Sequence, residues 1–232
     1  KRMTTPPEFA RMFLLDLTAA QGKVLKKEWL HEYPSDKVGE SWPVYIGLDY
    51  ASVKDKIEDV NRDYFTIAVI KGIPGGGGVL VDGFRGQLLQ AEAESIAISW
   101  GLKYPFLKQM TAEAIGKGEE FHNLLMRKAP FPVIPIRYHR RSKGERFEKG
   151  MAPYFYNSQL WVSDSPNDFI NEFKKEWVAF PDPGVHDDCL DAVYMCTLGM
   201  QGQLATLRED YTDVPRFEKR RHSNPYAAFG RS

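Results

Sequence analysis

An apolar run that ends on an acid constrains this chain more than any other feature. Val44-Tyr45-Ile46-Gly47-Leu48-Asp49-Tyr50 is rich in β-formers and closes at Asp49, with the small Ala51 just beyond. It reads as a central strand carrying Asp49 at its carboxyl end. Two more such runs follow, Tyr64 to Lys71 and Gly78 to Arg85, separated by the reversal Pro74-Gly75-Gly76-Gly77. Three strands in order with short links predict an antiparallel meander. The intervening stretch from Ser52 to Asp63 is too acidic and aperiodic for core.

The pattern then changes. Ala93, Ile96, Ala97 and Trp100 recur at helical spacing within 90–104, and Pro105 to Glu113 reads as a fourth strand that again ends on an acid. A helix over about 118–128 leads to a fifth strand, Pro132 to Arg137. Helical crossovers make strands one, four and five parallel. The fold class expected is therefore α/β: a mixed sheet of five or more strands flanked by helices. Phe169, Phe173, Trp177 and Phe180 predict an amphipathic helix, and a final helix begins at His186.

At 232 residues one domain with extensions is expected. Residues 41–203 form it, 1–40 a connecting arm from a preceding domain, and 204–232 a polar tail. The arm carries a helical pattern, Phe9, Met12, Phe13 and Leu14, and then a clip, Trp29 to Pro34. Lys plus Arg equals Asp plus Glu, 31 each, so a nucleic-acid site must come from local clusters. No run of 18 apolar residues and no charged leader is present, which predicts an intracellular protein. Cys189 and Cys196 lie two helical turns apart and read as buried thiols. No phosphate-binding loop exists at Gly75 to Gly78, because Val79 follows where such a loop needs Lys.

The acids carry the chemistry. Adjacent parallel strands put Asp49 and Glu113 side by side, and a helix starting at His186 adds Asp187 and Asp188 from its first turn, with Asp191 on the same face as a secondary candidate. Phosphodiester hydrolysis needs an activated water and neutralised charge, which two divalent ions supply together. Mg²⁺ or Mn²⁺, two ions, suits such carboxylates. The bland alternative is that Asp187 and Asp188 simply cap a helix. His186 is either a ligand or water-orienting group, or a cap. The basic stretch Arg137, Arg140, Arg141, Lys143, Arg146 and Lys149 offers a face for DNA, with Arg140, Arg141, Lys143 and Arg146 as the candidate contacts.

Taken together, Ile46-Gly47-Leu48-Asp49-Tyr50-Ala51, Thr111-Ala112-Glu113 with Gly116 or Gly118 behind it, Lys143 to Arg146, and Phe180-Pro181 leading into His186-Asp187-Asp188-Cys189-Leu190-Asp191-Ala192 carry a resemblance. The chain resembles the nuclease domain of the large terminase subunit of tailed bacteriophages, which is similar to the ribonuclease H and retroviral integrase folds. The resemblance implies a metal-dependent endonuclease that cuts concatemeric double-stranded viral DNA during packaging. It also implies an ATPase domain in front, a portal and a small terminase subunit as partners, and action in the cytoplasm of the infected host, transiently at the procapsid portal. By position Asp49 looks like the bridging ligand, Glu113 the strand-four ligand, Asp188 with Asp187 the helix ligands, and Lys143 the basic residue after strand five. Ala114 after Glu113 departs from the pattern. The alternatives are another ribonuclease H-like enzyme, such as a resolvase, integrase or transposase, and a noncatalytic DNA-gripping or portal-docking module.

Overall fold

The computed structural model describes residues 25–51, 64–137, 142–165, 167–182 and 184–205. The arm's helical pattern at Phe9 to Leu14, the acidic stretch 52–63, Arg140, Arg141 and most of the polar tail lie outside the described residues. The strands are β1 (Glu32–Tyr33), β2 (Val44–Asp49), β3 (Phe65–Gly72), β4 (Gly78–Gly86), β5 (Leu107–Glu113), β6 (Val133–Ile136) and β7 (Leu160–Ser163). The helices are α1 (Gln90–Lys103), α2 (Lys117–Lys128), α3 (Lys143–Arg146), α4 (Ala152–Tyr156), α5 (Asp168–Ala179), α6 (Asp188–Gly199) and α7 (Gln201–Ala205). A π-helical segment, Phe147–Met151, joins α3 to α4.

All seven strands form one sheet in the order β1-β7-β4-β3-β2-β5-β6. As expected, β2, β3 and β4 make an antiparallel meander, and β2, β5 and β6 run parallel. Gly75, Gly76 and Gly77 all adopt positive φ, which is how the β3–β4 reversal is made. Two strands extend the expected five: β7 pairs parallel with β4, and β1, inside the clip, pairs parallel with β7. They are only four and two residues long, and their partners are distant in sequence, so no local period marks them. The clip is anchored as well as paired: Trp29 and Tyr33 are buried, and Trp177 Nε1 donates to the Lys26 carbonyl at 2.9 Å.

Strand alternation sorts the sheet into two faces. Ile46, Leu48, Ile67, Val69, Met110 and Ala112 face α1 and α2, where Ala93, Ala97, Phe121 and Leu125 complete an apolar core. The opposite face is covered by α5 and α6 over a second core that includes Phe155, Phe173 and Trp177. Gly47 belongs to that face. A Cβ there would collide with the Ala192 carbonyl and the Cys196 amide, so glycine lets α6 lie directly on β2. Every residue of α6 from Asp188 to Thr197 is buried, both cysteines are unbridged, and Cys196 Sγ donates to the Tyr45 carbonyl at 3.1 Å. This close seating brings the first turn of α6 over the carboxyl end of β2.

Candidate metal centre

Four carboxylates meet where β2 and β5 end and α6 begins. Leu48 pairs with Ala112 in the parallel β2–β5 ladder, so Asp49 and Glu113 follow as neighbours. Asp188 and Asp191, one turn apart on α6, are 3% and 4% exposed. Burial pushes the Asp49 carboxyl well above its ordinary range, and the negative charges of Asp191, Asp188 and Glu113 push it further, against the pull of Lys143. Asp191, which spacing alone ranks second, is thus the acid whose charge weighs most on Asp49.

Asp187 stands slightly apart. It occupies the N-cap position of α6, yet its side chain makes no capping hydrogen bond. The N-terminal amides of Cys189 and Leu190 are instead taken by Glu176 Oε2 from α5, at 2.8 and 3.2 Å. The helix is capped from across the interface, and Asp187 is released to accept from Lys143 Nζ at 2.7 Å. The helix itself starts at Asp188, not His186, whose Nδ1 lies 3.5 Å from Asp188 Oδ2.

The cations approach from two sides. Ser142 and Glu145 form a capping box that fixes the start of α3 and aims Lys143 at the acids. Its ammonium bridges Asp187 Oδ1 and Asp191 Oδ2, the latter at 2.9 Å. Burial works against the Lys143 charge, but Asp191 and Asp187 outweigh it and hold the proton well above the ordinary lysine range. Arg146 lies beneath, 6% exposed, with Nη1 3.3 Å from Asp191 Oδ1 and its guanidinium 5.8 Å from the Tyr194 ring. Of the sequence candidates for DNA contact, then, Lys143 is half exposed and Arg146 is buried on a carboxylate.

On the other side stands a group that sequence reading passed over. Arg85 of β4 lies 3.7 Å from Asp188 Oδ2, 3.8 Å from Glu176 Oε1 and 3.9 Å from Glu172 Oε1, with its guanidinium 3.5 Å over the Tyr64 ring. Asp49 pairs with Thr66 and Thr66 with Arg85, so all three share one row on one face. A bulge creates this alignment: Val69 pairs with Asp82 but Ile70 with Leu80, which skips Val81 and turns Arg85 to the α6 side. An unbulged count along the hairpin puts Phe84 there. Burial pushes Glu176 up to about 8, the α6 amides and Arg85 pulling down and Asp188 pushing up.

Among the described residues, no three acidic, thiol or imidazole groups converge on one point at coordinating distance. The Lys143 ammonium lies between two of the carboxylates instead. The donor set nevertheless suits a divalent cation: hard carboxylate oxygens from two strand ends and a first helical turn, crowded enough to disfavour the Asp49 charge.

No protein-family model and no curated protein sequence matches the chain. Several solved structures do. The large terminase nuclease from thermophilic phage G20c, crystallised with bound zinc, superposes with a TM-score of 0.54 at 15% identity, over 75% of this chain and 96% of that one. The Thermus phage P74-26 large terminase nuclease domain gives 0.54 at 14%, over 75% and 94%. A large terminase from a further thermophilic bacteriophage gives 0.56 at 14%, over 77% of this chain and 44% of that one. Crystals of the G20c nuclease also exist with cobalt and with magnesium. Identities this low speak for the fold alone. The chain therefore has the ribonuclease H-like fold of large terminase nuclease domains.

Proposed function

We propose that the chain is the nuclease domain of a phage large terminase, a divalent-metal-dependent endonuclease that cuts concatemeric double-stranded DNA during genome packaging. The observation that carries this reading is the gathering of Asp49, Glu113, Asp188 and Asp191 at one end of the sheet, with Asp49 disfavoured as an anion by burial and then by the charges of the other three. Asp49 and Glu113 from the strand ends and Asp188 and Asp191 from the helix would hold the divalent ions, two of Mg²⁺ or Mn²⁺. Such ions, when bound, activate water and neutralise charge on the phosphate and the leaving oxygen.

The chain's own groups do the rest. Lys143, half exposed between Asp187 and Asp191, presents the positive charge that a scissile phosphate meets. Arg146 balances Asp191 from below. His186, edge-on to Tyr64 and close to Asp188, orients that carboxylate. Arg140 and Arg141, from the same basic run of the sequence, are further candidate contacts to the DNA backbone. Under this reading residues 1–40 join the nuclease to an ATPase domain of the same polypeptide and 204–232 form a polar tail. The domain works with a portal and a small terminase subunit in the cytoplasm of the infected host, transiently at the procapsid. Among the described residues no helix is long and apolar enough to cross a membrane.

The test is cleavage of supercoiled plasmid with Mg²⁺, Mn²⁺, Ca²⁺ or EDTA by the wild type, Asp49→Asn and Asp188→Asn. Mg²⁺- or Mn²⁺-dependent cutting that each substitution lowers by orders of magnitude, with duplex binding retained, supports the reading. Intact DNA binding with no cutting under any ion would make the chain a gripping or docking module.

A further inference from the structure

The amides of Cys189 and Leu190 are the second and third of α6, the two that a side chain at the N-cap ordinarily satisfies. Asp187 holds the N-cap position and is a residue type that suits it, but both amides already donate to Glu176 Oε2. Glu176 is 1% exposed, so packing between α5 and α6 fixes this contact. The backbone of Asp187 reflects the exchange. Its carbonyl accepts the first helical bond, from the Asp191 amide at 3.0 Å, yet its φ of −130° and ψ of 18° depart from the extended conformation in which an N-cap side chain turns onto its own helix. The side chain reaches Lys143 instead, and with Asp191 it brackets the ammonium. One acceptor oxygen serves both amides, so the arrangement holds for a carboxyl that burial pushes up to about 8 as well as for its anion.

We propose that Glu176 is a positioning residue for Lys143: by satisfying the α6 amides from across the interface, it keeps Asp187 off the helix and on the ammonium. This inference rests on the reading of Lys143 as the cation that meets a scissile phosphate. Without Oε2 the two amides lie open, and Asp187, one residue before the helix, is the acceptor placed to close them. Lys143 then keeps only its Asp191 contact and is drawn toward that acid.

The experiment pairs thermal melts in EDTA with single-turnover cutting of a DNA duplex in saturating Mn²⁺, using the 232-residue chain. Asp187→Ala is expected to lower Tm by about 1 °C in the wild type, where it breaks a half-exposed ion pair, and by about 3 °C in Glu176→Met, where it removes the cap. Glu176→Met should slow cutting about tenfold, while Glu176→Gln, which keeps an acceptor oxygen, stays within about twofold of wild type. Added to Lys143→Ala, Glu176→Met should change the rate by less than about twofold, because it acts through the missing lysine. Equal Tm losses in the two backgrounds overturn the inference, as does a glutamine variant as slow as the methionine one. A further tenfold slowing of Lys143→Ala by Glu176→Met also overturns it, since Glu176 would then be a structural residue only. If Glu176→Met does not fold, Asp187→Ala in the wild type still decides: a loss of about 3 °C there would show that Asp187 already caps α6. A wild type that cuts under no ion overturns the nuclease reading and this role for Lys143 with it, whereas the melts judge the exchange between Glu176 and Asp187 by itself.

Discussion

Asp188 and Asp191 stand one helical turn apart, equally buried, yet their charges are balanced in opposite ways. Asp191 is gripped from α3 by short contacts: Lys143 on one oxygen at 2.9 Å and Arg146 on the other at 3.3 Å. Asp188 is held from the sheet and the preceding loop, by Arg85 at 3.7 Å and His186 at 3.5 Å, with Arg85 divided among three acids. The first flank occupies the oxygens a metal would take; the second supplies charge from behind. The difference teaches that a cation near a metal ligand can act as competitor or as support, and that distance and sharing tell which.

The largest expected effect is on stability. Asp191→Asn takes from the buried Arg146 its short carboxylate contact, a loss of about 3 kcal/mol for a broken buried pair, which relief of repulsion on Asp49 reduces to roughly 2 kcal/mol. Asp188→Asn leaves Arg85 with Glu172 and Glu176 and should cost at most about 1 kcal/mol. Urea denaturation of the metal-free proteins compares them directly. Equal losses would mean that the two flanks bear their charges alike.

Next in size is Lys143→Ala. If the ammonium competes for Asp191, removing it tightens Mn²⁺ binding by roughly fivefold, since a half-exposed pair is worth on the order of 1 kcal/mol. Plasmid cutting should slow in the same variant, because the phosphate loses its cation. Weaker Mn²⁺ binding would put Lys143 in the same supporting role as Arg85, and the comparison would collapse.

Much of this arrangement is legible in the sequence, for definite reasons. Asp49 and Glu113 are visible because each ends a strand-like run, and the hairpin of β3 and β4 because its link is a short glycine-rich reversal. Three things are hidden. Burial is the first: Arg146 reads as a solvent-facing DNA contact until Tyr194 and Asp191 are seen around it. Register is the second: one extra residue at Val81 decides whether Phe84 or Arg85 shares a row with Asp49, and no local pattern marks the bulge. Long-range capping is the third. Asp187 beside a helix start looks like a cap, and only the fold reveals that Glu176, eleven residues earlier, has taken that task. The pairing of β1 with β7 is hidden for the same reason, since contacts between distant segments leave no period.

The smallest effect expected concerns Asp49, the acid between the two flanks. Asp49→Asn removes a charge that its neighbours repel, so the metal-free variant should be more stable than wild type. The gain is modest, on the order of 0.5 kcal/mol, because a carboxyl whose ionisation is already disfavoured relieves part of the repulsion by holding its proton. Saturating Mn²⁺ should reverse the order: the wild type gains stability from the bound ion while the variant, lacking the Asp49 carboxylate that would hold it, gains little. Thermal melts in EDTA and in Mn²⁺ measure both signs. A variant less stable than wild type in EDTA would show Asp49 to be a structural partner of Lys143, with the crowding of the acids fully compensated by the two cationic flanks. A variant that gains as much from Mn²⁺ as wild type would take Asp49 out of the ligand set and leave the ion to the other acids.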